Sequence, residues 1–469
     1  MAGHPGFSIT RRSFVKGVGF ATLAAACGGG GEQRASQTPT DTPTETYTEP
    51  TTTLSGELRI LLWSHFVPAH DDWFDPFAKE WGNEVGVNVT VDHINVADIP
   101  TRISAEIAAG GGHDLIQYIA PLSQFEPSVV DLTDVTEEAV NRFGEQLDLC
   151  RKSSFNPNTE KFYAYSPGWV PDPGDYRRSL WEQVGLADGP TTWDELREGG
   201  AEIKNRLNVQ LGIGMSQEID SNMAARALLW SFGGSVQDEN ENVVINSDET
   251  IAAVEFMRNL YEQAMTDEVF AWNAASNNQG LIAGEMSYIL NSISAWRTAQ
   301  DANPEVARDV FFVPALQGPA AQLAAQHVMY NWIVPSHAQN VDAAKEFLLH
   351  YTANFHRATF ESKLYDFPAF LERVPQLDEW LSIDPFGAQP TDKLAVLKDA
   401  VDWTTNIGHP GPSNTAIGEV FGTYILPNMM AKAARGDLSP ADAVADAESQ
   451  ITPIFDKYRQ RGLVGGGGA

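Results

Sequence analysis

The chain has 469 residues, 62 of them acidic and 31 basic, for a formal charge of −31, and 43% of its residues are hydrophobic. So acidic a balance excludes nucleic acid as a partner, because phosphate binding needs a basic surface. About 400 residues follow the N-terminal low-complexity region, too many for one ordinary core and enough for two domains. No apolar run in this long part reaches the length that spans a bilayer, so it is read as a water-exposed body.

The first element is a short apolar stub. Arg11 and Arg12 stand side by side, Phe14 and Lys16 follow, and an apolar run from Gly17 to Ala26 ends at Cys27. A membrane-spanning helix needs about 20 apolar residues, so this run fits an export signal instead. TRRSFVK, from Thr10 to Lys16, resembles the twin-arginine export motif. Ala24 to Cys27 resembles a lipobox, with Leu23 one position further from the cysteine than usual. Residues 1–27 are therefore expected to be a twin-arginine lipoprotein signal, with Cys27 the lipidated residue left after cleavage. The alternative is a plain cleaved signal with an incidental Cys27. Residues 28–55 contain nine threonines, three prolines and four consecutive glycines, too little apolar surface to fold, and are expected to form a disordered stalk. The expected location is the extracellular face of the cytoplasmic membrane, held there through the lipid anchor only.

Without residues 1–27 the chain carries 28 basic and 62 acidic residues, a charge of −34. That charge repels itself in dilute buffer, and is largely screened near 1 M salt, where the Debye length is about 3 Å. The acidity is read as adaptation to a salty habitat. With Cys27 committed to lipid, Cys150 has no partner and no structural disulfide is expected.

In chain order, Leu58 to Trp63 (LRILLW) predicts a buried strand, a helix follows around Trp73 to Trp81, and Val87 to Ile94 alternates as a strand. Ile99 to Ala109 predicts a helix with Asp98 as N-cap and Pro100 in its first turn, ended by Gly110-Gly111-Gly112. Asp114 to Ile119 is the third strand. Strands alternating with helices predict a parallel sheet covered on both faces. Ser166 to Gly174 (SPGWVPDPG) is a strong breaker. Thr192 to Glu195 forms a capping box, and Ser247 caps a helix with Ile251, Val254, Met257, Leu260 and Tyr261 on one face. Short strands are expected at Leu211 to Met215, Met286 to Leu290, Val310 to Val313 and Met329 to Val334. A helix from Asp342 to Tyr351 follows. The last helix has Ser439 as N-cap, Pro440 first, and Val444, Ala447, Ile451 and Ile454 inside.

Six stretches, in order, resemble the extracellular solute-binding proteins of ABC importers, the large sugar-binding family related to maltose-binding protein. They are ELRILLWSH, ISAEIAAGGGHDLIQY, DYRRSLWEQVGL with PTTWDEL, IAGEMSYILNS, MYNWIVPSHAQNVDAAKEFL and LSPADAVADAESQI. The resemblance covers nearly the whole body. It implies an α/β fold of the periplasmic-binding-protein type II class, two lobes each built on a mostly parallel sheet, with the ligand in the cleft between them. Carried over, lobe 1 is residues 56–165 plus 324–358, and lobe 2 is 166–323 plus 359–462. Residues 463–469 form a flexible tail. The breaker at Ser166 to Gly174 falls where a hinge crossing is needed.

Sugars offer apolar faces rimmed by hydroxyls, so a site needs aromatic plates and side chains that donate and accept hydrogen bonds. Ligands of open parallel sheets sit at the carboxyl ends of strands. That selects Trp63, Ser64 and His65 after the first strand, Tyr118 at the end of the third, Trp169 at the crossing, Asn291 and Ser292 after Met286 to Leu290, and Tyr330 and Asn331 at the next crossing. The family resemblance adds Gln217, Asp220 and Asn222, and Asn414 in a late loop. Trp73, Trp181, Trp193, Trp230 and Trp380 lie on predicted helices and are assigned to packing, as is Trp332; Asp114 is read as a structural cap. A metal at His65, His70, Asp71 and Asp72 matches no standard zinc spacing, so a solvated loop is preferred and no metal or cofactor is expected. No catalytic motif is present, and a chance pair among 62 acidic residues is weak support for a glycosidase. The expected partners are a small solute, a sugar before a quaternary amine, polyol or glycerol phosphate, and the permease subunits of an ABC transporter. The chain is expected to act as a monomer and not as an enzyme.

Overall fold

The computed structural model describes residues 53–467. Arg11, Arg12, Cys27 and nearly all of the threonine-rich stretch lie outside the described residues. The folded body starts slightly earlier than expected: Leu54 is buried, and the Ser55 carbonyl accepts from Asn340 Nδ2 at 2.9 Å.

The strand Gly56–Trp63 pairs in parallel with Val87–Ile94 on one side and with Leu115–Tyr118 on the other. A strand enclosed on both edges and both faces reads as a continuous apolar run, which is why LRILLW does. Asn331–Ile333 completes the sheet, antiparallel to Leu115–Tyr118. The helix Ala69–Val85 brings Trp73, Phe74, Phe77 and Trp81 into the core beneath it. Asp114 caps as expected: Oδ2 accepts from Arg59 N (2.9 Å) and Oδ1 from Gln339 N (2.6 Å) and Asn340 N (3.2 Å). Asp98 does not: it sits in a 3-10 turn, Val96–Asp98, capped by Asn95, whose Oδ1 accepts from Ala97 N. Gly110 ends the Ile99–Ala109 helix in the left-handed conformation.

The second sheet has the order Val310–Val313, Gly174–Arg177, Met286–Leu290, Gln210–Gly212. The mostly parallel expectation holds in the first sheet; here only the pairing of Gln210–Gly212 with Met286–Leu290 is parallel and the other two are antiparallel. The Thr192 capping box forms with Glu195, and Ser247 and Ser439 cap their helices by accepting from Thr250 N and Asp442 N. Trp181, Trp193 and Trp230 are buried, as assigned; Trp380 is half-buried.

Between the two sheets lies a third, of three short antiparallel strands. Gly168–Val170 is central, flanked by Val328–Met329 and Phe367–Pro368. The chain thus passes between the sheets three times. The breaker stretch supplies the first crossing. The expected single strand Met329 to Val334 is two strands, Val328–Met329 in the crossing sheet and Asn331–Ile333 in the first sheet, with Tyr330 at the change. The third crossing comes at Phe367–Pro368, later than the boundary expected after residue 358. Up to that point the helix Phe355–Glu361 still packs with the first sheet's layer, where the Arg357 guanidinium lies over the Trp73 and Phe77 rings at 5.6 and 5.3 Å. At the C-terminus, Val464 is buried and Gly465 N donates to Glu241 Oε2 (2.6 Å), so residues 463–467 are held, not a loose tail.

Candidate functional site

The first strand delivers Trp63 to the edge of the crossing sheet, where its ring is buried and its Nε1 donates to no acceptor. It stacks on His65 (4.9 Å between centroids, 23°) and meets Phe66 at 4.8 Å. Phe66 approaches the His327 ring at 6.4 Å, and His327 meets Tyr365 edge-on at 6.3 Å. An aromatic wall thus runs from the first sheet into the crossings.

Carboxylates face this wall. His327 Nδ1 lies 3.0 Å from Asp172 Oδ1 and 3.9 Å from Asp220 Oδ1. Asn277 Nδ2 donates to the other oxygen of Asp220 at 2.9 Å. Glu218 caps the Ile219–Phe232 helix by accepting from Asp220 N (2.7 Å) and Ser221 N (2.6 Å). Asp175, one strand position beyond the crossing, is buried with neither oxygen hydrogen-bonded. Burial raises the Asp172 carboxyl against the opposing pull of His327. Burial and then Asp172 push Asp175 well up; burial and then Glu218 do the same for Asp220. Burial would lower His327, but its hydrogen bond to Asp172 and the charges of Asp172, Asp220 and Glu218 outweigh that and raise it. Besides Asp175 and Trp63 Nε1, the side-chain atoms Asp172 Oδ2, Tyr288 OH, Ser292 Oγ and Tyr365 OH are buried with hydrogen-bonding capacity unused. These atoms leave hydrogen-bonding capacity at the junction that water or a polar guest can fill. Beside them, Phe66, Val67 and Pro68 face Arg297, Thr298 and Asp301 across a groove of about 390 Å³.

The sequence-selected residues divide into three groups. Trp63, Asp220, Asn291 and Ser292 meet in this region: Asn291 N reaches the Pro173 carbonyl at 3.3 Å, two residues from Asp175. Tyr118 extends it, its hydroxyl raised by burial and by Tyr424, which in turn feels Glu218; Gln217 Nε2 reaches Asn428 Oδ1 at 3.5 Å on the same side. A second group is committed to internal bonds. Asn331 donates to Ser153 O and Ser166 Oγ and accepts from Leu122 N. Asn222 donates to Phe421 O and accepts from Arg226. Asn414 caps the Thr415–Gly422 helix and donates to Gln237 and Glu241. Their amides hold the frame, because both N–H groups or the one acceptor are already engaged. In the third group, Trp169 packs on Phe367 at 5.6 Å and lines a separate groove with Leu371 and Val401, and Ser64 is exposed. His65 and Tyr330 turn inward to Asp366. The solvated loop expected around His65 and His70 is thus corrected: both rings are buried.

Asp172, His327, Phe66, Tyr365 and Tyr424 escaped the sequence reading. Asp172 was visible as a lone acid between two prolines in the crossing segment; the others carry no local signal.

Two α/β units joined by three crossing strands, with an acid and aromatic cluster at the junction, define a two-lobed periplasmic-binding-protein architecture. Residues 68–354 match the family model described as bacterial extracellular solute-binding protein, and the chain belongs to that family. It is similar to a candidate oligosaccharide periplasmic-binding protein from Synechococcus sp. MITs9220, solved in complex with zinc. The TM-score is 0.72 at 19% identity, covering 87% of this chain and 100% of that one. The maltose-bound MalE3 of T. maritima gives 0.69 at 19% identity, covering 85% and 100%. A candidate binding protein of Brucella abortus (strain 2308) is 21% identical over 171 residues, a stretch that covers 36% of this chain and 41% of that relative.

Proposed function

We propose that the protein captures a mono- or oligosaccharide outside the cell and delivers it to the permease of an ABC importer. The observation that carries this reading is the juxtaposition at the crossings of Trp63, Phe66 and Tyr365 with Asp172, Asp175, Glu218 and Asp220. Rings stack on the C–H faces of a sugar, and carboxylates accept from its hydroxyls. The names of the structural relatives, oligosaccharide-binding and maltose-bound, support the same substrate class. The two lobes would be residues 56–165 plus 324–358 and 166–323 plus 359–462, with the third crossing at Phe367–Pro368 marking a later return. A ligand touching both lobes only when they close biases a hinge equilibrium toward the closed form. Export by the twin-arginine route and a lipid on Cys27 would keep this monomeric receptor near its permease, raising the local concentration. No bond is made or broken in this cycle.

A quaternary amine is the second reading, because rings beside carboxylates also suit a cation. Calorimetric titration at high salt with maltose, longer oligosaccharides, choline and betaine decides between them. A sugar should bind, and Trp63→Ala should weaken it by about tenfold, as loss of a stacking plate of roughly 1–1.5 kcal/mol does. Binding of choline or betaine with no heat from any sugar would overturn the carbohydrate reading.

A further inference from the structure

Behind the aromatic wall, the structure brings His65 and His70 together with Asp366, about 300 residues further along the chain. His65 follows the first strand, His70 opens the Ala69–Val85 helix, and Asp366 immediately precedes the third crossing strand. All three are buried. His65 Nε2 lies 3.2 Å from Asp366 Oδ1, and His70 Nε2 lies 3.6 Å from Asp366 Oδ2. The candidate ligand atoms are all within 4.8 Å of one another. In a tetrahedral zinc site with bonds of about 2.0–2.1 Å, ligand atoms stand about 3.3 Å apart; the 3.2 and 3.6 Å spacings are close to this, each to a different oxygen of Asp366.

What surrounds the three groups matches a metal site more closely than a simple ion pair. His70 Nε2 and Asp366 Oδ2 are buried and make no hydrogen bond. The far nitrogen of His70 is engaged by an acceptor, Nδ1 lying 3.4 Å from Asp71 Oδ1, whereas His65 Nδ1 lies 3.0 Å from the Val67 carbonyl and also 3.0 Å from the Val67 N–H, which donates to it. At His70, donation through Nδ1 keeps the Nε2 lone pair free, which is how ligating histidines are oriented; at His65 the same orientation requires the ring proton to sit on Nδ1 and donate to the Val67 carbonyl. The two rings stack at 4.3 Å and 20°, both directed at one carboxylate, and the Tyr330 hydroxyl joins it at 2.5 Å from Asp366 Oδ1 and 3.2 Å from His65 Nε2. Two imidazoles and a carboxylate form a nitrogen-rich borderline donor set that selects zinc over calcium or magnesium.

We propose that His65, His70 and Asp366 bind one zinc-class divalent cation, with Tyr330 at its edge. The ion fastens the end of the first strand to the segment entering the third crossing, and so braces the hinge. The site adjoins the cleft, because the His65 ring stacks on Trp63 at 4.9 Å and meets Tyr365 at 5.3 Å.

The test is equilibrium dialysis of chelator-treated full-length protein against micromolar Zn²⁺ at high salt, with Co²⁺ as a spectroscopic substitute. The expected result is one tightly held ion, the visible absorption of tetrahedral Co²⁺, and a melting temperature raised by Zn²⁺. His70→Phe keeps the ring packing against Phe74 and removes the nitrogen; it should abolish the tight ion while the protein stays folded. Asp71→Asn, altering the acceptor behind His70 and the carboxylate that holds His65 N at 2.9 Å, should weaken binding by about 10–100-fold. His409→Gln, far from the cluster, should leave it unchanged. No stoichiometric binding overturns the proposal, as does binding equal in wild type and His70→Phe, the outcome of scattered surface carboxylates or of a plain His–Asp pair.

Discussion

Asp175 shows how a single side chain records the demands of a site. It sits on the Gly174–Arg177 strand, buried, with both oxygens unbonded and no cation paired with it. Burial and the neighbouring Asp172 push its carboxyl well above the ordinary value of 3.8. Between that value and the raised one, the native protein keeps a proton that the unfolded chain has lost. Stability therefore falls as pH rises through this window, by about 1.4 kcal/mol per pH unit. Asp175→Asn removes the penalty. Urea denaturation in constant high salt should find the variant no more stable than wild type near pH 4 and progressively more stable as pH rises above it. A wild-type-to-variant difference that is flat with pH would show that the carboxyl is ionised without cost. At this scale the sequence was most legible where a residue acts on its own neighbourhood. Thr192, Ser247 and Ser439 bond amides three positions away, so their caps follow from spacing alone. Asp366 was illegible because its partners His65 and His70 lie about 300 residues earlier, and no local pattern encodes such a meeting.

At the scale of elements, most strands and helices announced themselves by period and by caps. The misreadings fall where one segment serves two sheets. MYNWIV looks like one strand because its residues are all buried, yet it divides at Tyr330 between the crossing sheet and the first sheet. The second sheet's mixed pairing was likewise hidden, because alternation reports burial and not strand direction. The crossing strand Gly168–Val170 depends on a close approach. A Cβ at Gly168 would collide with the Phe355 ring and come within 2.8 Å of the Phe367 carbonyl oxygen. Neither neighbour is free to retreat, since Phe355 is buried and Pro368 pairs with Gly168 itself. Gly168→Ala should therefore cost about 1–3 kcal/mol, as overpacking does. It should also weaken ligand binding, because the strand it displaces carries the chain toward Asp172. A Gly168→Ala protein with unchanged stability by denaturation would mean that the crossings yield easily, and would remove the claim that they are a tight hinge.

For the molecule as a whole, the charge was the plainest signal in the sequence and the lobe division the least direct. The crossing at Ser166 to Gly174 was marked by its prolines and glycines. The second crossing carries no breaker and was placed near Tyr330 through the family resemblance, while the third carries only the single Pro368 and its position needed the fold. Charge makes a prediction of its own. The acidic excess is spread over the surface, and the exposed ion pairs, such as Arg178–Asp188 and Arg206–Glu202, engage only a fraction of it. Pairs of this kind are worth about 0–1 kcal/mol each. They weaken as salt is added, whereas the repulsion among the remaining carboxylates is relieved. Because acidic residues outnumber basic ones by 62 to 31, relief dominates. The Debye length falls from about 10 Å at 0.1 M to about 3 Å at 1 M, so most of the gain should appear across that interval. The melting temperature is expected to climb steeply from dilute buffer to 1 M KCl. Sucrose, which strengthens burial without screening charge, should reproduce little of the rise. Full stability in dilute buffer, or an equal effect of sucrose, would mean that the acidic surface does not set the salt requirement.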